Sequence, residues 1–317
     1  SPTADNSGER DVASLMAEFA IPVFKNFDLQ AALRYEDFSD VKSTTVGKLA
    51  FGWRVFEPLL IRGSWSEAFR APNLVTINEA LVVRTNTRDD YVCLYAAYET
   101  GTDPDDMDGD CDWSTQRRAT GSENLKPEES TNTSIGMVWD ATDNLTFTLD
   151  FWSIEKENTI GLFGEENHTK LDLLNRIRAG TSNCAQDFNP AVGRGDIDED
   201  DEPLYYDAGI CPAGQLEYVE DTYTNMSTRL IEGYDIGVYY SKDTDVGNFD
   251  FKFVGSKYEK YRQDGSEGAA KEVDDAIKSG ELPDWISLRG YGDLMSREGN
   301  SDEKFHTSLR WSRNSWS

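Results

Sequence analysis

Residues 59–72, LLIRGSWSEAFRAP, constrain the fold more than any other stretch. Leu59, Ile61, Trp65 and Phe69 fall at alternate positions, with Arg62, Ser64, Ser66 and Ala68 between them. A β-strand turns successive side chains to opposite faces, so the pattern predicts a strand with one apolar face and one wet face. Pro72 ends it, because proline brings no amide donor to the ladder.

The same unit recurs along the chain. Strands are predicted over 12–24 and 29–38, then where Leu49, Phe51, Trp53 and Val55 alternate with Lys48, Ala50, Gly52 and Arg54. Beyond residue 128, further strands carry Ile135, Met137 and Trp139, then Leu145, Phe147, Leu149 and Phe151. Others carry Tyr234, Ile236, Val238 and Tyr240, then Phe249, Phe251 and Phe253, and finally Phe305, Leu309 and Trp311. That makes about nine amphipathic strands. Tight turns are expected at 25–28, 57–58, 141–144, 243–248 and 312–314. Long loops are expected at about 70–128, 158–223 and 263–303, far beyond the usual ~4–6 residues. Within them a helix is predicted over 169–179, with Leu171, Leu174 and Ile177 on one stripe and Gly180 as its stop. A second is predicted over 270–279 before Gly280, and a Trp285-centred segment could add short strands.

Only 38% of residues are hydrophobic and the mean hydropathy is −0.61, with no run near the ~18 apolar residues of a membrane helix. Two architectures fit: a soluble β-rich protein, or a membrane β-barrel, whose strands escape a hydropathy window. The sorting of short turns to one side and long loops to the other favours the barrel. So do the charges on the second face, Arg34, Glu36, Arg54, Arg62, Asp150 and Lys252, which suit a wet lumen better than a sandwich core. Aromatics at 12% suit barrel girdles and also a sugar-binding surface. A net charge of −28 excludes a nucleic-acid partner. The four cysteines form two local pairs, Cys93 with Cys111 and Cys184 with Cys211. Neither has CxxC spacing, and His168 and His306 are the only imidazoles, so disulfides in an oxidising location fit better than zinc. The chain opens in polar residues without an initiator Met and reads as a piece of a longer protein.

The residues also carry a resemblance. Arg62 to Pro72, RGSWSEAFRAP, resembles the RxSxSxxFRAP segment of TonB-dependent outer-membrane receptors. Leu33 to Ser39 resembles the family's RYExYS strand, and Asn124-Leu125-Lys126-Pro127-Glu128 its NLKPE strand entry. Asp150-Phe151-Trp152-Ser153-Ile154 and Glu232-Gly233-Tyr234-Asp235-Ile236 match its DxWxI and xGxDx strands, in the family's order. The resemblance implies an all-β fold: an antiparallel transmembrane β-barrel, here part of a 22-stranded one, with residues 1–317 as a partial barrel domain. The disulfides would then staple long extracellular loops that carry short helices. It also implies an N-terminal plug whose TonB box engages the TonB complex, an apolar face against outer-membrane lipid and lipopolysaccharide, and an extracellular nutrient ligand. Ferric siderophores are the family's best-known cargo. The acidic loops disfavour anionic chelates, so the reading leans to carbohydrate or other neutral organic cargo.

Candidate site residues follow. Arg34, Glu36, Arg54, Arg62 and Arg70 are candidates to face the lumen and plug, with Arg70 and Pro72 also able to shape the strand exit. Tyr91, Tyr95, Trp113, Tyr205 and Tyr206 lie in the loops, where they can stack on a ligand or pack the loops. Asp103, Asp105, Asp106, Asp108 and Asp110 invite calcium, since hard cations want several carboxylate oxygens. They fail the EF-hand pattern: with Gly109 sixth, Pro104 stands first and Thr115 replaces the needed Glu. No cofactor other than that calcium is expected, and no nucleophile, phosphate-loop or paired-carboxylate motif points to an enzyme. Two other classes stay open: a plugless diffusion porin, and a secreted calcium-binding adhesive β-domain.

Overall fold

The computed structural model describes residues 7–295, 297 and 300–314. Four amphipathic strands come first: β1 (Val12–Phe24), β2 (Phe27–Phe38), β3 (Thr44–Phe56) and β4 (Leu59–Arg70). The first long loop holds α1 (Leu74–Asn78), β5 (Val82–Asp89), α2 (Tyr91–Thr100) and β6 (Asp112–Ala119). Two long strands follow, β7 (Glu128–Thr142) and β8 (Leu145–Glu157). The second loop carries β9 (Thr159–Gly161), α3 (Glu165–Ala179), β10 (Val192–Arg194), α4 (Glu202–Asp207), β11 (Leu216–Glu220) and β12 (Thr224–Met226). Next come β13 (Arg229–Thr244) and β14 (Gly247–Gln263), then a third loop with α5 (Gly268–Ser279) and β15 (Gly292–Asp293), and last β16 (Glu303–Ser312).

The long strands form one antiparallel wall in the order β1-β2-β3-β4-β7-β8-β13-β14, with β16 and the short β15 on the far side of β14. They run from 10 to 17 residues, enough for the ~9–11 that a barrel strand needs to cross a bilayer. Two-residue turns at 25–26, 57–58, 143–144 and 245–246 close one edge, and the three long loops leave from the other. Turns that short force adjacent strands to pair antiparallel, and they fix the register. Asn314 has a φ of 52°, consistent with the turn expected at 312–314; residues 315–317 lie outside the described residues.

Register sorts the two faces. One row runs Phe27, Trp53, Ile61, Met137, Leu149 and Ile236, then Gly255 and Phe305. One step along, the opposite face carries Asp28, Gly52, Arg62, Gly136, Asp150, Asp235, Ser256 and Lys304. The apolar residues stay exposed: Leu33, Leu49, Trp65, Ile135, Phe151, Phe305 and Leu309 are 38% to 72% accessible. An exposed apolar surface this broad needs an apolar solvent. Aromatic pairs lie on it, Trp139 with Phe147 at 5.7 Å near the short-turn edge and Phe151 with Tyr234 at 6.0 Å in mid-wall.

The core lies elsewhere. Among the described residues every buried apolar side chain falls between Pro72 and Leu294, in the loops. One cluster joins all three: Val92, Ala96 and Met107 from the first, Leu173, Leu174 and Ile210 from the second, Val273, Leu282 and Ile286 from the third. A second sheet, β10-β11-β6-β5, ties the first loop to the second through a parallel β6–β11 pairing. The loops are therefore a folded cap.

The structure departs from the sequence pattern at three places in the cap. α2 has no periodic signal, because its apolar residues surround the helix instead of forming a stripe. α3 begins at Glu165, and its buried face carries Lys170, Asp172 and Arg176 beside Leu173 and Leu174, while Leu171 and Ile177 are only partly buried. The Trp285 segment adds no strand at Trp285; β15 is the short strand nearby, and Trp285 packs on Tyr91 and Tyr98.

Gly136 gives the wall a test. A Cβ there would lie 2.1 Å from Asp150 Oδ1, in the space that the Arg62–Asp150 pair occupies. Gly136→Val is expected to abolish the compact, heat-modifiable band of the folded protein on a cold denaturing gel, while Ser64→Ala, which removes a single hydroxyl pair worth about 1 kcal/mol, retains it.

Candidate functional site

The lumen candidates all stand on the polar face of the wall. Arg62 reaches over Gly136 to grip Asp150 with two bonds, Nε to Oδ1 at 2.8 Å and Nη2 to Oδ2 at 2.6 Å. Arg34 pairs with Glu36. Arg54 donates to the Glu57 carbonyl at 2.6 Å, at the short-turn edge. Arg70 pairs with Glu128, which is buried and also accepts from the Ile160 amide at 2.7 Å. The FRAP arginine and the NLKPE glutamate thus meet across adjacent strands where the wall becomes loop. Beside this junction Asn73 caps α1 by accepting from the Val75 amide at 3.0 Å.

Above it, α3 is the hub of the cap. Its Asp172 accepts from Arg176 Nε at 3.2 Å and from Arg194 Nε at 3.0 Å. Arg194 in turn forks onto Asp90, at 2.5 and 2.9 Å. Asp90 is the N-cap of α2 and accepts from the Val92 amide at 3.1 Å. Arg176 also donates to the Cys211 and Pro212 carbonyls at 3.0 and 2.7 Å. All four charged groups are buried. Burial lowers an arginine's pKa, yet the Asp90 and Asp172 charges leave Arg194 raised; at Arg176 burial prevails and the pKa falls. Charges taken out of water persist only when paired and bonded this fully. Toward the third loop, Asn167 exchanges two bonds with the Arg289 backbone, at 2.9 and 3.0 Å, and Arg178 reaches Glu281 at 2.7 Å.

Two disulfides complete the cap. Cys93–Cys111 closes a loop of 18 residues and Cys184–Cys211 one of 27.

The loop aromatics divide by exposure. Tyr91 stacks on Trp285 at 6.1 Å and lies under Lys170 Nζ, 4.2 Å from its ring. Tyr95 is half-buried against the cluster, and Tyr205 lies within it. Burial, and then nearby acids, push the phenol of Tyr91 up to about 12. Trp113 lies over Gly109, where a Cβ would meet its ring at 2.5 Å. Tyr206, Tyr98 and Trp285 present 41% to 55% of their surface outward.

In the acidic run, Asp103 accepts from the Asp105 amide at 3.2 Å, while Asp105, Asp106 and Asp110 are exposed. The Asp108 side chain lies outside the described residues. Among the described residues no three His, Cys, Asp or Glu side chains converge as a metal site. Nearby, Asp89 hydrogen-bonds to Asp112, which together with burial raises its pKa.

The sequence reading missed the buried network of Asp90, Asp172, Arg176 and Arg194, along with Lys170 and Asp221. Asp90 before an apolar run ending at Gly101 carried a capping signal. The others had none, since Arg194 pairs with a residue 104 positions away.

A wall apolar on one face, wet on the other and capped on one edge defines an outer-membrane-type β-barrel. The chain belongs to the TonB dependent receptor-like, beta-barrel family, whose model matches residues 1–287. Barrels of this family lie in the bacterial outer membrane. Among solved structures, the chain is similar to the siderophore receptor PirA from Pseudomonas aeruginosa, with 15% identity, a TM-score of 0.46 and coverage of 78% of this chain and 34% of that one. A variant of the ferric enterobactin receptor PfeA from the same organism gives 17%, 0.49, 79% and 27%. The FrpB iron transporter from Neisseria meningitidis gives 14%, 0.43, 80% and 26%. The chain thus spans about a third or less of these receptors. The comparison with curated proteins finds no match.

Two outcomes test the cap. Arg194→Met leaves Asp90 and Asp172 buried and is expected to cost about 3–5 kcal/mol of local stability, read as accelerated amide exchange in α2 and α3. Lys170 is buried, which pushes its pKa down to about 8, against Glu166 pulling it up. The unfolded chain takes up that proton near 10.5 but the folded cap only near 8, so cap stability rises with pH across that window, by up to about 3 kcal/mol. Denaturant unfolding at pH 8, 9 and 10 is expected to show this rise in the wild type and a flatter profile in Lys170→Met.

Proposed function

We propose that the protein takes up an organic nutrient across the bacterial outer membrane by TonB-energised active transport. The observation that carries this reading is the position of the core. The wall buries no apolar side chain of its own, and all three long loops contribute to one folded cap at a single edge. A diffusion pore needs no such cap. A cap pre-folded by disulfides and a buried ion network lowers the ordering needed at capture, which favours a scarce ligand.

The partners follow from the family. Energy reaches the barrel from the TonB complex through a plug domain, which the arginines of the polar face would meet. The apolar face contacts membrane lipid, and lipopolysaccharide surrounds the rim. A net charge of −28 opposes anionic chelates in the approach to the cap, so a carbohydrate or other non-anionic organic molecule fits better than a ferric siderophore. The outward aromatics Tyr206 and Trp285 supply stacking surfaces for such cargo.

The test is accumulation of candidate nutrients by cells expressing the full-length receptor, with and without functional TonB. Uptake is expected to stop when TonB is removed or the proton gradient is collapsed. Equal uptake in the TonB-deficient strain would identify a diffusion porin instead.

A further inference from the structure

Between the second and third loops lies a cavity of about 550 Å³ whose wall includes Phe163, His168, Met226 and Tyr291. Phe163 meets His168 edge-on at 4.9 Å and Tyr291 at 6.2 Å, so three rings from two loops make one continuous aromatic surface. Behind that surface stands Asp221, 1% exposed. Its Oδ1 accepts from the Gly164 amide at 3.2 Å and lies 3.5 Å from His168 Nε2. Its Oδ2 has no partner, nor does the buried Nδ1 of His168. The phenol of Tyr291 is pushed up to about 12, by burial and then by the Asp221 charge, which places the carboxylate within electrostatic reach of that ring as well.

This departs from the rest of the cap. Asp90 and Asp172 are each bound by arginine, and Glu128 is met by both Arg70 and the Ile160 amide. Among the described residues, Asp221 is the buried carboxylate with a bare oxygen. Arg229, the cation that Tyr291 senses, is held by Gln263 at 2.8 Å. Glu220 and Glu267, both exposed, add negative charge at the rim. A buried charge is costly unless it is paired, and an aromatic surface backed by a carboxylate is the arrangement that holds organic cations.

We infer that this cavity binds an organic cation, an ammonium group on a small apolar body. The ammonium lies against the Phe163, His168 and Tyr291 rings within the field of Asp221, and the apolar body packs on Met226 and the α5 side of the cavity. An anion would be repelled by Asp221, Glu220 and Glu267, and a neutral ligand would bring no counter-charge to Asp221. That such a cation is the cargo rests on the uptake reading; that it binds does not.

Calorimetric titration of the detergent-solubilised full-length receptor tests the site, with benzyltrimethylammonium as the probe and benzyl alcohol and benzoate as controls. The cation is expected to bind at least tenfold more tightly than benzyl alcohol, with no measurable binding of benzoate. Asp221→Asn keeps an acceptor for Gly164 and is expected to weaken the cation at least tenfold. Ala269→Trp, which fills the cavity from α5, is expected to abolish binding without touching the carboxylate. Thermal unfolding identifies any variant that fails to fold. Benzoate binding as well as the cation, wild-type affinity in a folded Asp221→Asn or Ala269→Trp receptor, or no cation binding by folded wild-type protein would each overturn the inference. Cation binding together with TonB-independent accumulation of nutrients would overturn the uptake reading and leave the site standing.

Discussion

In hydrocarbon a backbone amide can bond only to another part of the protein, and everything else in this structure is arranged around that requirement. The long strands meet it through long antiparallel ladders between neighbours joined by two-residue turns, each broken by a single register shift, at Arg54/Phe56, Asp140/Thr142 and Glu232/Gly233. Once the backbone is satisfied this way, side chains on the wall need not form a core at all. One face can be left to lipid and the other to water. The polar face then has to fit its charges between closely spaced strands, which explains why Arg62 and Asp150 face each other across a glycine.

The wall was legible because its constraint is local. Two-residue periodicity, Pro72 and the turn residues all act within a few positions, so β1 and β4 end where the sequence predicts, at Phe24 and Arg70. The cap was much less legible. α2 buries one face, Val92, Cys93, Ala96 and Ala97, but Tyr91, Leu94, Tyr95 and Tyr98 make the rest apolar too, so it shows no stripe, and only Asp90 and Gly101 mark its ends. α3 hides its docking face because the residues it buries are charged, and their partners lie in other loops. The site candidates divide in the same way. The wall arginines could be assigned to a face by parity alone, whereas Tyr91, Tyr98 and Trp285 meet only because the first and third loops fold together.

The cap resembles a small globular domain supported from below. It has an apolar cluster, a four-member buried ion network and two cross-links, all of which a chain segment outside the membrane needs in order to hold a shape in water. The wall relies on hydrocarbon for the same end. The two halves are therefore stabilised by opposite solvents, and the Arg70–Glu128–Ile160 junction lies at the border between them.

The parallel pairing of β6 with β11 has a mechanical consequence. Strands from two different loops hydrogen-bonded side by side cannot swing apart independently without breaking three consecutive register positions, Tyr218 with Gln116, Val219 with Arg117 and Glu220 with Arg118. The first and second loops therefore behave as one plate. Any rigid-body motion of the cap would carry these two loops together, and the third loop meets the second where the aromatic cavity lies.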